Sequence, residues 1–409
     1  MKKFLVVVIA ISVLALVAFT GCGAEEERGE FQAASSTELT IAVLRNNSLI
    51  EDAARRFEEN HDGRYTVTLV VYEDFASYAQ IINSSLLGGR GEDIISVQNV
   101  AWQRLADAGL LTDLNDTMNF QQGRYYQSVL DAFLYNGGRY VIPMNFGINA
   151  FRFDDTVSTV PANPNRFALE DVLKFAAIYP DLPLYTTPMG MTPTDFASMF
   201  FNLYFDDFVD LANRTADVDN AKFIGILEDV ESISERLRWP DIGESLLMWG
   251  DMFHSAAMSA NGTKDYSPYH IITNSRGEGL VEPRNLMAVN ANSPNQELAA
   301  RFMQFLLSEE VQTSPEMWST PINKNAHEVV AQATLDAVRA GGFEPEGFDL
   351  ARNIAIFNAH AANLTLSGTS DPFIRDFVRD EITRFFECEV TAQQAASNLQ
   401  ARLTIYLNE

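Results

Sequence analysis

Two short polar loops hold the side chains best suited to chemistry. Arg45, Asn46 and Asn47 follow one apolar run, and Gln98 and Asn99 follow another. Amide and guanidinium groups suit capture of a polar ligand by hydrogen bonding. The structural alternatives are a turn role for Asn46 and Asn47 and a helix-cap role for Asn99. The usual reactive constellations do not occur in the sequence. The histidines His61, His254, His270, His327 and His360 are far apart and form no HxxxH pair, which argues against zinc. Gly88-Gly-Arg-Gly91 lacks the lysine and hydroxyl residue of a phosphate loop and reads as a turn. Asp217-Val-Asp-Asn220 lacks the glycine and closing glutamate of a calcium loop, and no G-x-S-x-G elbow occurs. The expectation is a binder with no catalytic residue, metal or cofactor.

The elements that position these loops are legible from periodicity. Glu38–Leu44 is β-rich and leads into a helix with Leu49, Ile50, Ala53, Ala54 and Phe57 on one face. Ser48 and Glu51 have capping-box spacing at its start. A second strand spans 65–72, a second helix 75–87 and a third strand 93–97. A short helix over 102–108 is closed by Gly109. Strands alternating with helices predict a mainly parallel sheet covered on both faces, with ligands beyond the carboxyl ends of its strands. Further on, 167–179 and 220–238 read as helices, the second with Phe223, Ile226, Leu227, Val230 and Ile233 on one stripe. The aromatic run over 195–210 reads as packed core rather than a sugar platform.

Composition narrows the class. The chain has 409 residues, 47% hydrophobic, with 28 Phe, 13 Tyr and 4 Trp, which excludes intrinsic disorder. Its length predicts two or three units with sizeable cores. A formal net charge of −26 makes nucleic acid a poor partner. At the N-terminus, Lys2 and Lys3 precede an apolar run over 4–19, too short for a comfortable membrane span, which reads as an export signal over 1–21. It ends in Phe19-Thr20-Gly21-Cys22, which resembles a bacterial lipoprotein box. The resemblance implies acylation of Cys22 and a lipid anchor to the cell membrane, outside the cytoplasm. Residues 22–37 then read as a flexible tether. With Cys22 lipidated, Cys388 has no partner for a disulfide.

Several motifs together resemble the extracellular solute-binding proteins of ABC importers, in particular the maltose-binding-protein-like group. These are Ala-Arg-Arg-Phe-Glu-Glu-Asn (54–60), Gly-Glu-Asp-Ile-Ile (91–95) and Leu-Ala-Asp-Ala-Gly-Leu-Leu-Thr-Asp-Leu (105–114). Tyr135-Asn-Gly-Gly-Arg-Tyr-Val-Ile-Pro143 resembles the family's crossing into the second lobe. The return strand and helix over 287–307, Pro321-Ile-Asn-Lys324, and the terminal segment from Thr391 agree with it. The resemblance implies an α/β, two-lobe periplasmic-binding-protein-like fold (type II) with open mixed sheets, closing on ligand like a hinge. Lobe 1 would be 38–144 plus 287–320, and lobe 2 would be 147–284 plus 322–409. The crossings would lie near 143–146, 283–286 and 320–323, the first carrying Asn145 and the second Arg284.

The resemblance also implies a cleft-facing loop after the "AAM" segment at Ala256-Ala-Met258, which here offers Tyr266. Trp249, before that segment, and Trp318, before the third crossing, complete the aromatic candidates, with cleft and core both open to Trp249. Sugar recognition needs a flat apolar face and planar partners for vicinal hydroxyls. Arg45 and Arg284 suit a carboxylate or phosphate ligand as well, or simple pairing with acidic neighbours. With Trp scarce, a small ligand is expected. The reading is a monomeric, lipid-anchored protein that hands a small polar solute, in the first place a sugar, to ABC permease subunits. A ligand sensor and a surface glycosidase are the rivals.

Overall fold

The computed structural model describes residues 37–45, 47–121, 123–153, 163, 165–181, 184, 192–237, 247–251, 270–317, 319–341 and 349–409. Its strands are β1 (Glu38–Leu44), β2 (Thr66–Tyr72), β3 (Ile94–Ser96), β4 (Val141–Phe153), β5 (Val209–Asp210), β6 (Thr215–Ala216), β7 (Leu247–Asp251), β8 (His270–Ile271), β9 (Gly279–Val289), β10 (Thr320–Pro321) and β11 (Leu364–Leu366).

Leu39, Ile41, Ala42 and Val43 of β1 are all buried, the near-continuous apolar burial of a strand covered on both faces. β1 pairs in parallel with β2 on one side and β3 on the other. The helices Ser48–Asn60 and Phe75–Leu87 make the connections. The expected cap at Ser48 is corrected by one residue. Asn47 is the N-cap, and its side chain accepts from Ile50 N at 3.2 Å.

Beyond β3 the parallel pattern stops. β9 runs antiparallel to β3 and β4 runs antiparallel to β9, giving the order β10-β4-β9-β3-β1-β2. The sheet is therefore mixed, as the family resemblance implies, where periodicity alone predicted a mainly parallel one. The reason is that β9 enters from far along the chain and needs no crossover helix to lie beside β3. β7 and β8 pair with the far end of β4, and β11 with β9, while β5 and β6 form a separate hairpin.

Two hydrophobic cores result. The first gathers Ile41, Phe57, Trp102, Phe146 and Met287 among others, and the second gathers Phe151, Phe196, Phe201, Phe223 and Leu399. β4 passes from one to the other between Ala150 and Phe151. The aromatic run after Thr192 is core, as expected. Phe201 stacks on Phe208 at 5.1 Å and meets Phe223 edge-on at 5.5 Å. The stripe from Phe223 to Ile233 is buried as its spacing predicts. Ile322, Val330, Phe357, Ala361 and Leu364 pack into the first core, although the sequence reading grouped 322–409 with the second lobe.

Candidate functional site

The C-terminal end of β3 turns into the segment carrying Gln98 and Asn99, which meets the second core's helix Pro372–Phe386. Asp371 caps that helix by accepting from Phe373 N and Ile374 N, and Pro372 fixes its first turn. Arg375 therefore stands one turn in, and its Nη2 donates to Asn99 Oδ1 at 2.9 Å. Ser370 Oγ donates to the Val100 carbonyl at 3.1 Å. These two bonds tie the segment after β3 to the start of that helix.

Beside them lies a cavity of about 150 Å³, with Gln98, Asn99 and Trp102 on one wall and Ser370 and Arg375 on another. Glu282 of β9 forms a third. Asn149 Nδ2 donates to Glu282 Oε1 at 2.7 Å. Burial holds the Glu282 carboxyl above the usual carboxylate range, against the bond from Asn149 and the charges of Arg284 and Arg375. Burial likewise lowers the pKa of the Arg375 guanidinium, with Asp376, Asp371 and Glu282 opposing. A second cavity of about 290 Å³ shares the lining residues Trp102, Ser367 and Gly368 with the first. A larger one, about 530 Å³, lies where Arg104 meets the C-terminal helix. There the guanidinium sits 4.6 Å from the Tyr406 ring centre, and Tyr406 donates to the buried Asp371 carboxylate at 2.8 Å. Volume favours the larger cavity, but convergent polar groups favour the smaller.

Behind the small cavity, Asn285 holds a φ of +50° within β9. Its backbone N–H donates to Gln98 Oε1 at 3.2 Å and its Nδ2 to Asn145 Oδ1 at 3.1 Å, while its Oδ1 accepts from Asn47 Nδ2. Left-handed backbone is tolerated by Asn better than by most residues, and here side chains from three elements surround it.

Of the residues expected from sequence, the structure brings Gln98 and Asn99 to the cavity wall. Asn47 and Asn145 bind Asn285 instead, with Asn145 fully buried. Arg284 lies opposite Asn145 in the β4–β9 pairing, half-buried. Arg45 is exposed at φ +60°, its backbone N–H bonded to the Tyr72 carbonyl. Trp249 has its backbone in β7 opposite Phe151, and its side chain lies outside the described residues. Cys22, Asn46, Tyr266 and Trp318 lie outside them altogether. Sequence reading missed Asn149, Glu282, Asn285 and Arg375. The Asp-Pro helix start before Arg375 was the one signal that could have flagged it.

A sequence profile of the bacterial extracellular solute-binding proteins matches residues 52–333. No curated protein matches the chain. Among solved structures, the chain is similar to the ABC substrate-binding protein Lmo0181 from Listeria monocytogenes in complex with cycloalternan. That match is 14% identical with a TM-score of 0.61, covering 91% of this chain and 99% of that one. It is similar to the GacH receptor of Streptomyces glaucescens, at 16% identity and a TM-score of 0.60, covering 91% and 98%. It also resembles the maltose/maltodextrin-binding domain MalE from Bdellovibrio bacteriovorus bound to maltotriose, at 15% identity and 0.58, covering 91% and 100%. At these identities the likeness is one of fold. No helix among the described residues is long and apolar enough to cross a membrane.

Proposed function

The chain belongs to the bacterial extracellular solute-binding proteins, and from that premise we propose that it captures a saccharide between its two cores for an ABC importer. One observation carries the reading. Gln98 and Asn99 from the segment after β3, Arg375 from the helix that packs into the second core and Glu282 from β9 line one cavity. Such a site is complete only when the two bodies are together, so a ligand that bridges them stabilises the closed arrangement. Ligand drives closure only through its higher affinity for that arrangement. Amides, a hydroxyl, a carboxylate and a guanidinium suit vicinal sugar hydroxyls.

In this reading 38–144 plus 287–320 form the first lobe, joined by the segments near residue 364 that pack into the same core. The remainder from 147 forms the second. The crossings near 143–146, 283–286 and 320–323 bend on closure. Cys22 carries the lipid anchor and 22–37 the tether, and the closed monomer docks on the permease. The similarity in fold to an ABC substrate-binding protein supports the importer assignment.

A thermal-shift screen of the purified protein against mono- and oligosaccharides, amino acids and organic anions tests it. A ligand specific to the folded state, at about 100 times its Kd, adds about 2.7 kcal/mol. A clear rise with one saccharide class supports the proposal. Shifts confined to amino acids, or a flat screen of folded protein, would overturn it.

A further inference from the structure

We propose that the captured solute is an acidic saccharide, a sugar carrying a carboxylate, and that Arg375 is the residue that holds that carboxylate. The inference rests on the saccharide reading above and specifies its substrate class.

It begins with charge. The chain holds 55 acidic residues against 29 basic ones, and Asp376, Asp371 and Glu282 act on Arg375 through their charge without a hydrogen bond to it among the described residues. Arg139 pairs with Asp131 at 2.8 Å, and Arg276 with Glu278 at 2.6 Å and Asp207 at 2.9 Å. Arg375 is half-buried, yet its hydrogen-bond partner among the described residues is the neutral amide of Asn99. Asp371 is close along the helix but is occupied by two backbone N–H groups and the Tyr406 hydroxyl.

A planar guanidinium matches a carboxylate with two parallel, charge-assisted bonds, which a single amide oxygen cannot offer. A carboxylate in the cavity would take the place of Asn99 Oδ1 as the acceptor. The Ser370 hydroxyl and Gln98 line the same cavity, as ring hydroxyls require. Glu282 limits the charge of the ligand. Burial favours its protonated form, so Arg375 leaves one positive charge in the shared cavity, which a monoanion neutralises and a phosphate dianion exceeds.

Titration calorimetry of the purified protein tests this, with glucuronate- and galacturonate-containing disaccharides, their neutral counterparts of the same linkage, and glucose 6-phosphate. Uronides should bind at least about tenfold more tightly than the neutral sugars, the scale of one charge-assisted bond. Arg375→Gln should weaken uronide binding at least about tenfold more than it weakens binding of the neutral counterparts, and Arg375→Lys should restore part of the preference. Unliganded melting curves establish that both variants fold. Equal affinity for neutral and acidic sugars would overturn the acidic assignment and leave the saccharide reading standing. So would tightest binding of the phosphate, or an equal loss for both sugar classes in Arg375→Gln. Binding of none of these sugars would overturn both.

Discussion

Asn99 accepts a hydrogen bond from Arg375 at 2.9 Å across the junction of two hydrophobic cores, between residues 276 positions apart in the chain. The bond places the end of a β3-linked loop against the first turn of a helix from the other core. Everything proposed for this protein depends on those two segments meeting, because neither lines the cavity alone.

Glu282 sits at the back of that junction, and its carboxyl is raised above its ordinary value of 4.5 by burial. Asn149 of β4, Arg284 of its own strand and Arg375 of the facing helix are the groups set against that shift. A carboxyl whose pKa is higher folded than unfolded stabilises the fold when protonated. That contribution is complete below the unfolded value and is lost as pH rises through the folded one. Glu282→Gln keeps an acceptor for Asn149, so the variant should melt higher than the wild type near about pH 7. The gap should narrow as pH falls toward about 4.5. Melting curves across that range check it, and a gap that widens on acidification would refute the sign.

Asn285 combines a left-handed backbone with side-chain bonds to Asn47 and Asn145. Asn285→Ala should cost about 2–4 kcal/mol, from lost bonds and the penalty of positive φ on a residue with Cβ. Asn285→Gly escapes the second part and should cost about 1–2 kcal/mol. Urea unfolding of both variants separates the contributions. Equal losses would mean that the backbone conformation carries no strain.

Phe201 is fully buried in the second core, against Phe208 and Phe223. Phe201→Ala should destabilise by about 3–5 kcal/mol through lost burial and the cavity left behind. Ile405, at 62% exposure on the C-terminal helix, is the control. Ile405→Ala should stay within about 0.5 kcal/mol. Unfolding curves for the pair report whether the aromatic run holds the second core together.

Local structure was largely legible in the sequence, and the site only in part. The helix Phe75–Leu87 and the strand Glu38–Leu44 lie where periodicity places them, because each buries one patterned run. The cap moved from Ser48 to Asn47, since both types suit the position and only the chain's exit from β1 decides. Gln98 and Asn99 were singled out because the carboxyl ends of strands in an open sheet are a general ligand position, and the structure sets both on the cavity wall. Glu282 and Arg375 were not, because a site at a junction is assembled from segments far apart in the chain. Nothing local marks which carboxylate in a strand or which arginine in a helix will face the other core. The antiparallel entry of β9 beside β3 left no periodic trace, and the family resemblance, with its return strand and mixed sheet, was what anticipated it.

The most direct test of capture between the cores is hydrogen–deuterium exchange with and without the tightest-binding saccharide of the thermal-shift screen. Bound saccharide should slow exchange in both 97–105 and 366–377, the two segments that meet at Asn99 and Arg375. Protection confined to one of them, or lying elsewhere in the chain, would contradict it.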